Sequence, residues 1–510
     1  MDIGFWAVVP PLLTIALAII TKEVLLSLFI GVFTGSMIMT GWNPLSAMEF
    51  MIEIILGNLT DPWNMQVLII CLMLGGLIGL LVRSGGSKAF GELLGRKVKT
   101  RKGTQGATWV IGILIFFDDY FNALTNGAIM RPISDKFMIS REKLSYIIDS
   151  TAVGICLIVP LSSWVAFICS LIGEAFDKAG IEGDPFAIFI TGIPYNYYAW
   201  LSIFMVLLVI YLNLDFGPMA KAEKRTLETG VLCDRTFSGG ASEEDDFSSI
   251  ERKEGKAIDM LAPILLLFAL ALTFAVYTGG FFETYDLIDS FNEMDGMLAL
   301  TYAISISVVF AIIFYSIRRL SKISESLSAF VTGTKSMIFV FILLAFAWSI
   351  GTLSDELGTA EYLVGIMVGN VPAAVIPLLI FASACIMTFA TGASWGTFAI
   401  MIPLAVPIAV EMDVNVLACI TAVIGGGGFG NHCSPLADTA ILSSASSNIR
   451  HTDHIKTQIP YSVTCAFIAC IGYLLTGLMG ADSSPFIPLI VIAALLVAAV
   501  FTLKKLFGKH

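Results

Sequence analysis

Acidic side chains interrupt apolar stretches of this chain at three places. Asp118 and Asp119 are adjacent, whereas Asp149 and Asp438 each stand alone. An unpaired charge in an apolar environment is costly, so such a group is expected to bind a proton or a cation. Two adjacent carboxylates do not both ionise easily at low dielectric. The chemistry that these residues predict is the exchange of a proton for a small cation.

Ser, Thr, Asn and His side chains accompany the carboxylates where apolar runs are broken by Gly or Pro. Backbone freed at such a break survives at membrane depth only inside protein or beside water, and its carbonyl oxygens can replace the hydration shell of a cation. We expect the cation or the proton to bind at Asp118, Asp119, Asn122, Asp149 and Asp438. The groups expected to coordinate the ion or a solute are Asn126, Ser162, Ser163, Thr391, Ser394, Thr397, Asn431, His432, Ser434 and Thr439.

Several of these features have a second interpretation. Asp149 also fits a helix cap, and His432 fits either a proton relay or a hydrogen-bonded packing residue. The residues Gly392 to Gly396 match the nucleophile elbow of hydrolases, but no strand precedes them, so no catalytic residue is expected. The pair His451 and His454 lacks Cys partners and is expected at a solvated helix end.

Composition places these residues in a membrane. Hydrophobic residues make up 57% of the chain and charged residues 14%, with a mean hydropathy of +0.86. The nine cysteines are scattered without metal-ligand spacing, which favours reduced packing residues. The first residues lack the basic region of a signal peptide, so the first apolar run is expected to stay in the mature protein. The fold class predicted is an all-α polytopic membrane protein.

Apolar runs of about 20 residues predict about 11 transmembrane helices. They begin near residues 5, 24, 65, 144, 185, 258, 296, 337, 414, 460 and 486. Basic residues concentrate in cytoplasmic loops, and the clusters at 96–102 and 131–143 must both lie there. The segment 106–138 between them is therefore expected to be a re-entrant hairpin from the cytoplasmic face. The segment 371–411 has acidic flanks and is expected to enter from outside.

The second half of the chain repeats the order of features in the first. Ala128-Ile129-Met130, followed by Pro132, corresponds to Ala399-Ile400-Met401, followed by Pro403. The predicted first inverted repeat covers 1–213 and contains hairpin 106–138 and broken helix 144–174. A cytoplasmic linker at 214–257 joins it to the second repeat at 258–480, which contains hairpin 371–411 and broken helix 414–447. An extra transmembrane helix with a basic tail follows at 481–510. Inverted repeats around one site are typical of secondary transporters that work by alternating access. A channel is the other class considered, and hairpins facing tip to tip favour alternating gating over it.

Residues 116–122, with Arg131-Pro132-Ile133-Ser134-Asp135, and residues 428–439 resemble the NhaC family of Na+/H+ antiporters, within the ion transporter superfamily. The resemblance covers nearly the whole chain. It implies two inverted repeats, each with a re-entrant hairpin and a broken helix, and a homodimer. Relatives of that family exchange malate for lactate or are associated with amino-acid uptake.

From the residues and the resemblance together, we expect a Na+/H+ antiporter rather than an enzyme. The alternative is a Na+- or H+-coupled carrier or exchanger of an amino acid or small organic acid, although the deep segments contain no Arg to hold a dicarboxylate. Na+ and H+ are expected at the positions given above as transported ions, with no cofactor and no resident metal. The other expected partners are the lipid bilayer and, in the alternative, a small organic solute, but no nucleic acid. The expected location is the plasma membrane, with the N-terminus outside and the C-terminus in the cytoplasm.

Overall fold

The computed structural model describes residues 4–21, 23–86, 88–90, 98–116, 118–234, 250, 253–285, 290, 294–335, 337–359, 362, 371–435 and 437–507. Every regular element within these ranges is helical, which confirms the all-α class. The α-helices are α1 (Val9–Thr21), α2 (Val24–Met39), α3 (Pro44–Thr60), α4 (Pro62–Ser84), α5 (Arg101–Leu114), α6 (Asp119–Lys136), α7 (Arg141–Cys156), α8 (Ser163–Ala179), α9 (Pro185–Gly192), α10 (Tyr197–Leu212), α11 (Gly217–Thr229), α12 (Ala257–Thr278), α13 (Phe281–Thr284), α14 (Gly296–Ile317), α15 (Ile323–Lys335), α16 (Ile338–Glu356), α17 (Ile376–Thr391), α18 (Ser394–Glu411), α19 (Val416–Cys433), α20 (Asp438–Ser447), α21 (His451–Met479) and α22 (Phe486–Phe507).

The described helices include most of the spans that the apolar runs predict. Within the described ranges, 9 helices are long and apolar enough to cross a membrane, or up to 10 if the pair α2 and α3, bent by 118°, forms one span. The apolar run near residue 144 falls short because α7 has only 16 residues before the chain breaks. In the run near residue 337, only Leu344–Ser354 qualifies, as a shorter apolar helix. The chain is an integral membrane protein, and the total of about 11 transmembrane helices stays a prediction.

Helices α5 and α6 lie side by side around a break at residues 115–118. The side-chain amide of Asn122 donates to the carbonyl of Gly112 at 2.7 Å, and that of Asn126 donates to the carbonyl of Thr108 at 3.0 Å. The residue number falls along α5 as it rises along α6, so the two helices run antiparallel. The two asparagine nitrogens thus hold together the arms of a hairpin within the segment 106–138.

Helices α17 and α18 form the corresponding pair in the second half. The chain turns at Gly392, whose φ of +75° is a conformation that glycine adopts without steric cost. Across the break, the hydroxyl of Thr388 donates to that of Thr397 at 2.7 Å, and Thr391 Oγ1 accepts the amide hydrogen of Ala393 at 3.2 Å. The hydroxyl groups predicted at this tip therefore satisfy one another and the freed backbone.

Each pair of arms is followed by two helices with a short break between them. Helices α7 and α8 are separated by residues 157–162, which include Pro160. The hydroxyl of Ser162 donates across this break to the carbonyl of Cys156 at 3.0 Å. Helices α19 and α20 are separated by residues 434–437, which include Pro435. Proline lacks an amide hydrogen, so neither helix can continue regularly through its break.

The glycine run Gly425 to Gly428 is helical, whereas four consecutive glycines in a sequence favour a break in a helix. Packing explains the difference. A Cβ atom at Gly426 would lie 2.5 Å from the Cβ of Ala384, and one at Gly427 would lie 2.2 Å from the ring of Phe398. The glycines let α17 and α18 approach α19 closely, and the break is confined to the residues that follow.

At the centre, helices of each half of the chain pack against helices of the other half. Helix α20, from the second half, packs against α6 of the first half, and α8, from the first half, packs against α18 of the second. This reciprocity is the arrangement expected of two related halves around one centre. Helix α11 forms the first part of the predicted linker 214–257, and residues 235–249 and 251–252 of that linker lie outside the described residues.

Candidate functional site

Four helices begin close to one another at the centre. Asp119 is the first residue of α6, and Trp164, Trp395 and Thr439 are the second residues of α8, α18 and α20. The indole of Trp164 donates to Asp119 Oδ1 at 3.0 Å, and its ring centroid lies 5.5 Å from that of Trp395. The hydroxyl of Thr439 donates to Asp119 Oδ2. Because helix amino termini carry partial positive charge, their fields stabilise an ionised carboxylate here.

Asp438 adds a second carboxylate through a reciprocal pair of hydrogen bonds. Tyr120, next to Asp119, donates to Asp438 Oδ2 at 3.0 Å, while Thr439, next to Asp438, donates to Asp119. Asp119 is only 2% exposed and the preceding Asp118 only 5% exposed, whereas Asp438 is exposed to solvent. The arrangement joins a buried acid of one half of the chain to an accessible acid of the other.

Asp149 belongs to a separate polar group, one helical turn away along α20. Its Oδ1 accepts a hydrogen bond from Ser443 at 3.2 Å, and its Oδ2 accepts one from Gln458. Ser443 and Thr439 lie four residues apart on the same face of α20, so Asp149 and Asp119 contact successive turns of one helix. Asp149 lies in the middle of α7, which excludes a helix-capping role.

The burial of His454 corrects the expectation that His451 and His454 lie at a solvated helix end. It is completely buried, with Nε2 3.7 Å from Asp149 Oδ2. His451 is partly exposed, with Nδ1 3.1 Å from Ser444 Oγ and Nε2 2.9 Å from the carbonyl of Pro435. The sequence could have indicated His454, because it forms with Gln458 and Ser462 a polar stripe at four-residue spacing along an apolar helix.

His432 is buried beside the same group. Its Nδ1 lies 2.7 Å from the phenol oxygen of Tyr198, and its backbone carbonyl accepts from Gln458 at 2.8 Å. Its Nε2 has no hydrogen-bond partner among the described residues. The structure therefore places His432 next to the Asp149 group and gives it no hydrogen bond to Asp119 or Asp438.

The oxygens predicted on the second hairpin form a third group. Ser394 donates to the carbonyl of Gly427 at 3.0 Å and accepts from the amide of Asn431 at 3.2 Å. These bonds connect α18 to α19. Neither partner of the Ser394 hydroxyl is a histidine. His432 and Asp438 bind the two tyrosines described above, so the nucleophile-elbow motif has no triad here.

The remaining predicted ligands lie at the breaks themselves. Thr391 donates to the carbonyl of Met387 at 2.9 Å. Ser434 is buried directly after the end of α19. Ser163 is the first residue of α8, and its side chain lies outside the described part of the structure. The carbonyl oxygens Asn122 Oδ1, Asn126 Oδ1 and Asn431 Oδ1 are buried without a hydrogen-bond partner among the described residues. Asn122, Asn126 and Asn431 can therefore still offer an oxygen to an ion.

Trp164, Tyr120, Tyr198 and Gln458 were not singled out from the sequence. Trp164 directly follows the predicted break at Ser162 and Ser163, and Tyr120 directly follows the carboxylate pair, so their positions in the sequence were a usable signal. The signal was weak because a tryptophan or tyrosine in an apolar run is usually a packing residue.

Charges outside the central groups form ion pairs near helix ends. The fully buried Lys143 lies 2.8 Å from Asp215 Oδ2 and 3.4 Å from Glu223 Oε2. The Arg83 guanidinium beside Glu325 lowers the pKa of that carboxyl. Among the described residues, no group of three or more His, Cys, Asp or Glu side chains could hold a resident metal ion.

Comparison with known proteins agrees with this geometry. The chain matches the model of the Na+/H+ antiporter family over residues 155–478. An uncharacterized protein of Haemophilus influenzae is 33% identical, over 98% of this chain and 95% of its own length. The Malate-2H(+)/Na(+)-lactate antiporter of Bacillus subtilis is 29% identical over 18% of this chain and 20% of its own length.

A solved structure shares the fold. The YdaH transporter of Alcanivorax borkumensis superposes with a TM-score of 0.54 at 16% identity, covering 85% of this chain and 88% of that one. Its identity is low enough that only the fold is compared. The resemblance found in the sequence motifs is confirmed by the family match, which covers more than half of the chain. This chain belongs to the Na+/H+ antiporter family, and it is an integral membrane secondary transporter rather than an enzyme.

Proposed function

We propose that this protein is a Na+/H+ antiporter in which Asp119 and Asp438 bind the exchanged ions. The observation that supports this most directly is the reciprocal hydrogen bonding between their two helices, which brings a buried and an exposed carboxylate to one place. Carboxylate and hydroxyl oxygens suit a hard cation such as Na+. Protonation of the same carboxylates removes the charge that attracts the cation, so the two ions compete.

Because Asp438 is exposed to solvent and Asp119 is buried, an entering ion contacts the two carboxylates one after the other. A hydrated cation reaches Asp438 first, and loses water as the oxygens of Asp119 and Thr439 replace it. Because both carboxylates stand at the first turns of helices that begin after a break, a small rotation of either half would change their separation. This supports alternating access, in which each half of the chain opens the site to one side in turn.

An exchanger of a small organic acid is the second candidate. Helices α8, α18 and α20 begin at the site without a side-chain cap, so their amide groups could bind a carboxylate of a solute. It ranks second because two carboxylates already lie at these helix ends and would repel such an anion. No ion pair of Asp119 or Asp438 with a Lys or Arg occurs within the described residues that would offset this repulsion.

The basic clusters support an orientation as well. We propose that residues 131–143 and the C-terminal Lys504 and Lys505 face the cytoplasm, with the N-terminus outside, in the plasma membrane.

The test is transport in proteoliposomes containing a pH-sensitive dye. Na+, Li+, K+, malate and lactate are added separately to vesicles that hold a proton gradient. We expect Na+ to collapse the gradient in the wild type, and Asp119→Asn and Asp438→Asn each to reduce this to the level of empty vesicles, because an amide cannot exchange a proton for a cation.

The control is Asp295→Asn, which changes an exposed helix cap whose oxygen accepts from Leu298 at 2.8 Å and which an Asn can replace. Dissipation by malate or lactate but not by Na+ alone would favour the second candidate. Wild-type exchange in both variants, at equal protein content, would contradict the assignment of the two carboxylates.

A further inference from the structure

Asp149 and His454 form a buried acid–base pair that the proposed exchange site does not use. Both side chains have no solvent exposure, and Asp149 Oδ2 lies 3.7 Å from His454 Nε2. The other side chains that donate to Asp149 are Ser443 and Gln458, which are both neutral. Within the described residues, His454 is the only basic side chain within 4 Å of Asp149.

Charge balance makes this pair sensitive to protons. An ionised carboxylate that is fully buried beside neutral donors is strongly destabilised unless a positive charge lies next to it. His454 can supply that charge only when its ring carries a proton on both nitrogens. Neither of its ring nitrogens has a hydrogen-bond partner among the described residues, so no other contact fixes its protonation state.

The other titratable groups near α21 do not replace this partner. His432 on α19 uses Nδ1 for Tyr198 of α10, and the neighbouring helix α20 presents Ser443 and Ser444 on this side. The remaining uncharged or weakly basic candidates are Cys433 on α19, Cys385 on α17 and His451 on α21. The charged groups line a hollow beside α21; they are Glu142 on α7, Lys221 and Arg225 on α11, Asp234, and Asp453 and Lys456 on α21 itself.

That hollow lies beside the turn of α21 that carries His454, although His454 itself does not line it. It has a volume of about 400 Å³ and is lined by Asp453, Lys456 and Thr457, which flank His454 along α21.

Helix α20 links the pair to the proposed cation site. Ser443 contacts Asp149, and Thr439, one turn earlier on the same face, contacts Asp119. Four residues of helix rise by about 6 Å, and such a short rigid segment moves as a unit. A displacement of α20 at one carboxylate therefore changes the hydrogen bond at the other.

We propose that His454 and Asp149 form a second proton-binding site, coupled through α20 to cation binding at Asp119 and Asp438. The proposal rests on the proposed antiport function. In the proton-loaded state the imidazolium balances the Asp149 carboxylate. When the cation binds one turn away along α20, its positive charge replaces that of the imidazolium beside Asp149. The imidazolium then releases its proton, and the exchange cycle moves one proton more than the carboxylate site alone.

The first test measures the Na+ dissociation constant of the purified protein against pH. Where two linked protons leave as Na+ binds, the constant changes about 100-fold per pH unit, and where one leaves it changes about 10-fold. Whatever number of protons the two carboxylates release, His454→Gln should lose one linked proton. Its dependence, the smaller value, should therefore be about 10-fold per pH unit weaker than that of the wild type, the larger value. The double variant Asp149→Asn/His454→Gln, which leaves no unbalanced buried charge, should also show the smaller value. His451→Gln, the same change at a histidine that binds neutral groups, should keep the wild-type dependence. An unchanged dependence in a folded His454 variant would overturn the proposal.

A second measurement separates this proposal from the proposed function. The chain has 4 histidines, so ¹⁵N-histidine labelling gives few NMR signals, and His454→Gln assigns the one of interest. We expect the charged fraction of the His454 ring, measured over the same range of pH, to be larger in the wild type than in Asp149→Asn. A neutral ring in the wild type between about pH 5 and pH 8 would refute the pair. If Na+ does not bind the wild type at all, the proposed function fails while this measurement still decides on the pair.

Discussion

Trp164→Phe tests the central site with a small change. The substitution removes the indole nitrogen that donates to Asp119 Oδ1 at 3.0 Å and keeps an aromatic ring against Trp395 and Phe398. Asp119 then retains a single side-chain donor, Thr439. Since the lost hydrogen bond favours the ionised carboxylate, its removal should make a proton harder for Na+ to displace.

The magnitude follows from the charge on the acceptor. A hydrogen bond to a charged group contributes about 1.5 to 3 kcal/mol. One pH unit corresponds to about 1.4 kcal/mol, so the pH of half-maximal exchange should rise by about one to two units. At a fixed pH below that midpoint, the Na+ concentration for half-maximal exchange should rise about 10- to 100-fold.

The assay is Na+-driven collapse of a pH gradient in proteoliposomes, repeated over a range of pH and Na+ concentration. Trp348→Phe is the matched control, because Trp348 is fully buried and its indole nitrogen has no acceptor among the described residues. That variant should keep the wild-type midpoint. A wild-type midpoint in Trp164→Phe as well would refute the assignment of Asp119 as the carboxylate that exchanges its proton.

Two further predictions concern packing and buried charge. Gly427→Ala places a methyl group 2.2 Å from the Phe398 ring and should destabilise the protein by about 1 to 3 kcal/mol. The control Gly57→Ala has open space around the new methyl group and should not destabilise it. Thermal unfolding in detergent compares the two variants, and equal melting temperatures would contradict the close packing of α18 on α19. Lys143→Met leaves Asp215 without its ion-pair partner, whereas Glu223 keeps Arg101, and should cost about 3 kcal/mol. Lys224→Met removes only a surface pair and should cost less than about 1 kcal/mol in the same measurement; a similarly small loss in Lys143→Met would show that its ion pairs add little.

The sequence was informative about the breaks because they depend on local chemistry. Pro160, Gly392 and Pro435 cannot sit in a regular helix without cost, and each lies at or beside a break in the structure. It was less informative about the glycine run before Pro435. Glycine in a helix is unfavourable by about 1 kcal/mol relative to alanine, but tight contact with α17 and α18 outweighs that preference.

What the sequence determined by itself was the membrane class, the family resemblance and the buried carboxylates, because hydropathy, motifs and the cost of charge at depth belong to individual segments. The tertiary structure decided which groups serve those carboxylates. Thr439 reaches Asp119 and His454 reaches Asp149 from the opposite half of the chain, about 300 residues away. Helical periodicity says which residues share a face of one helix, but not which distant helix will cover that face. Only packing brings these acids to their partners.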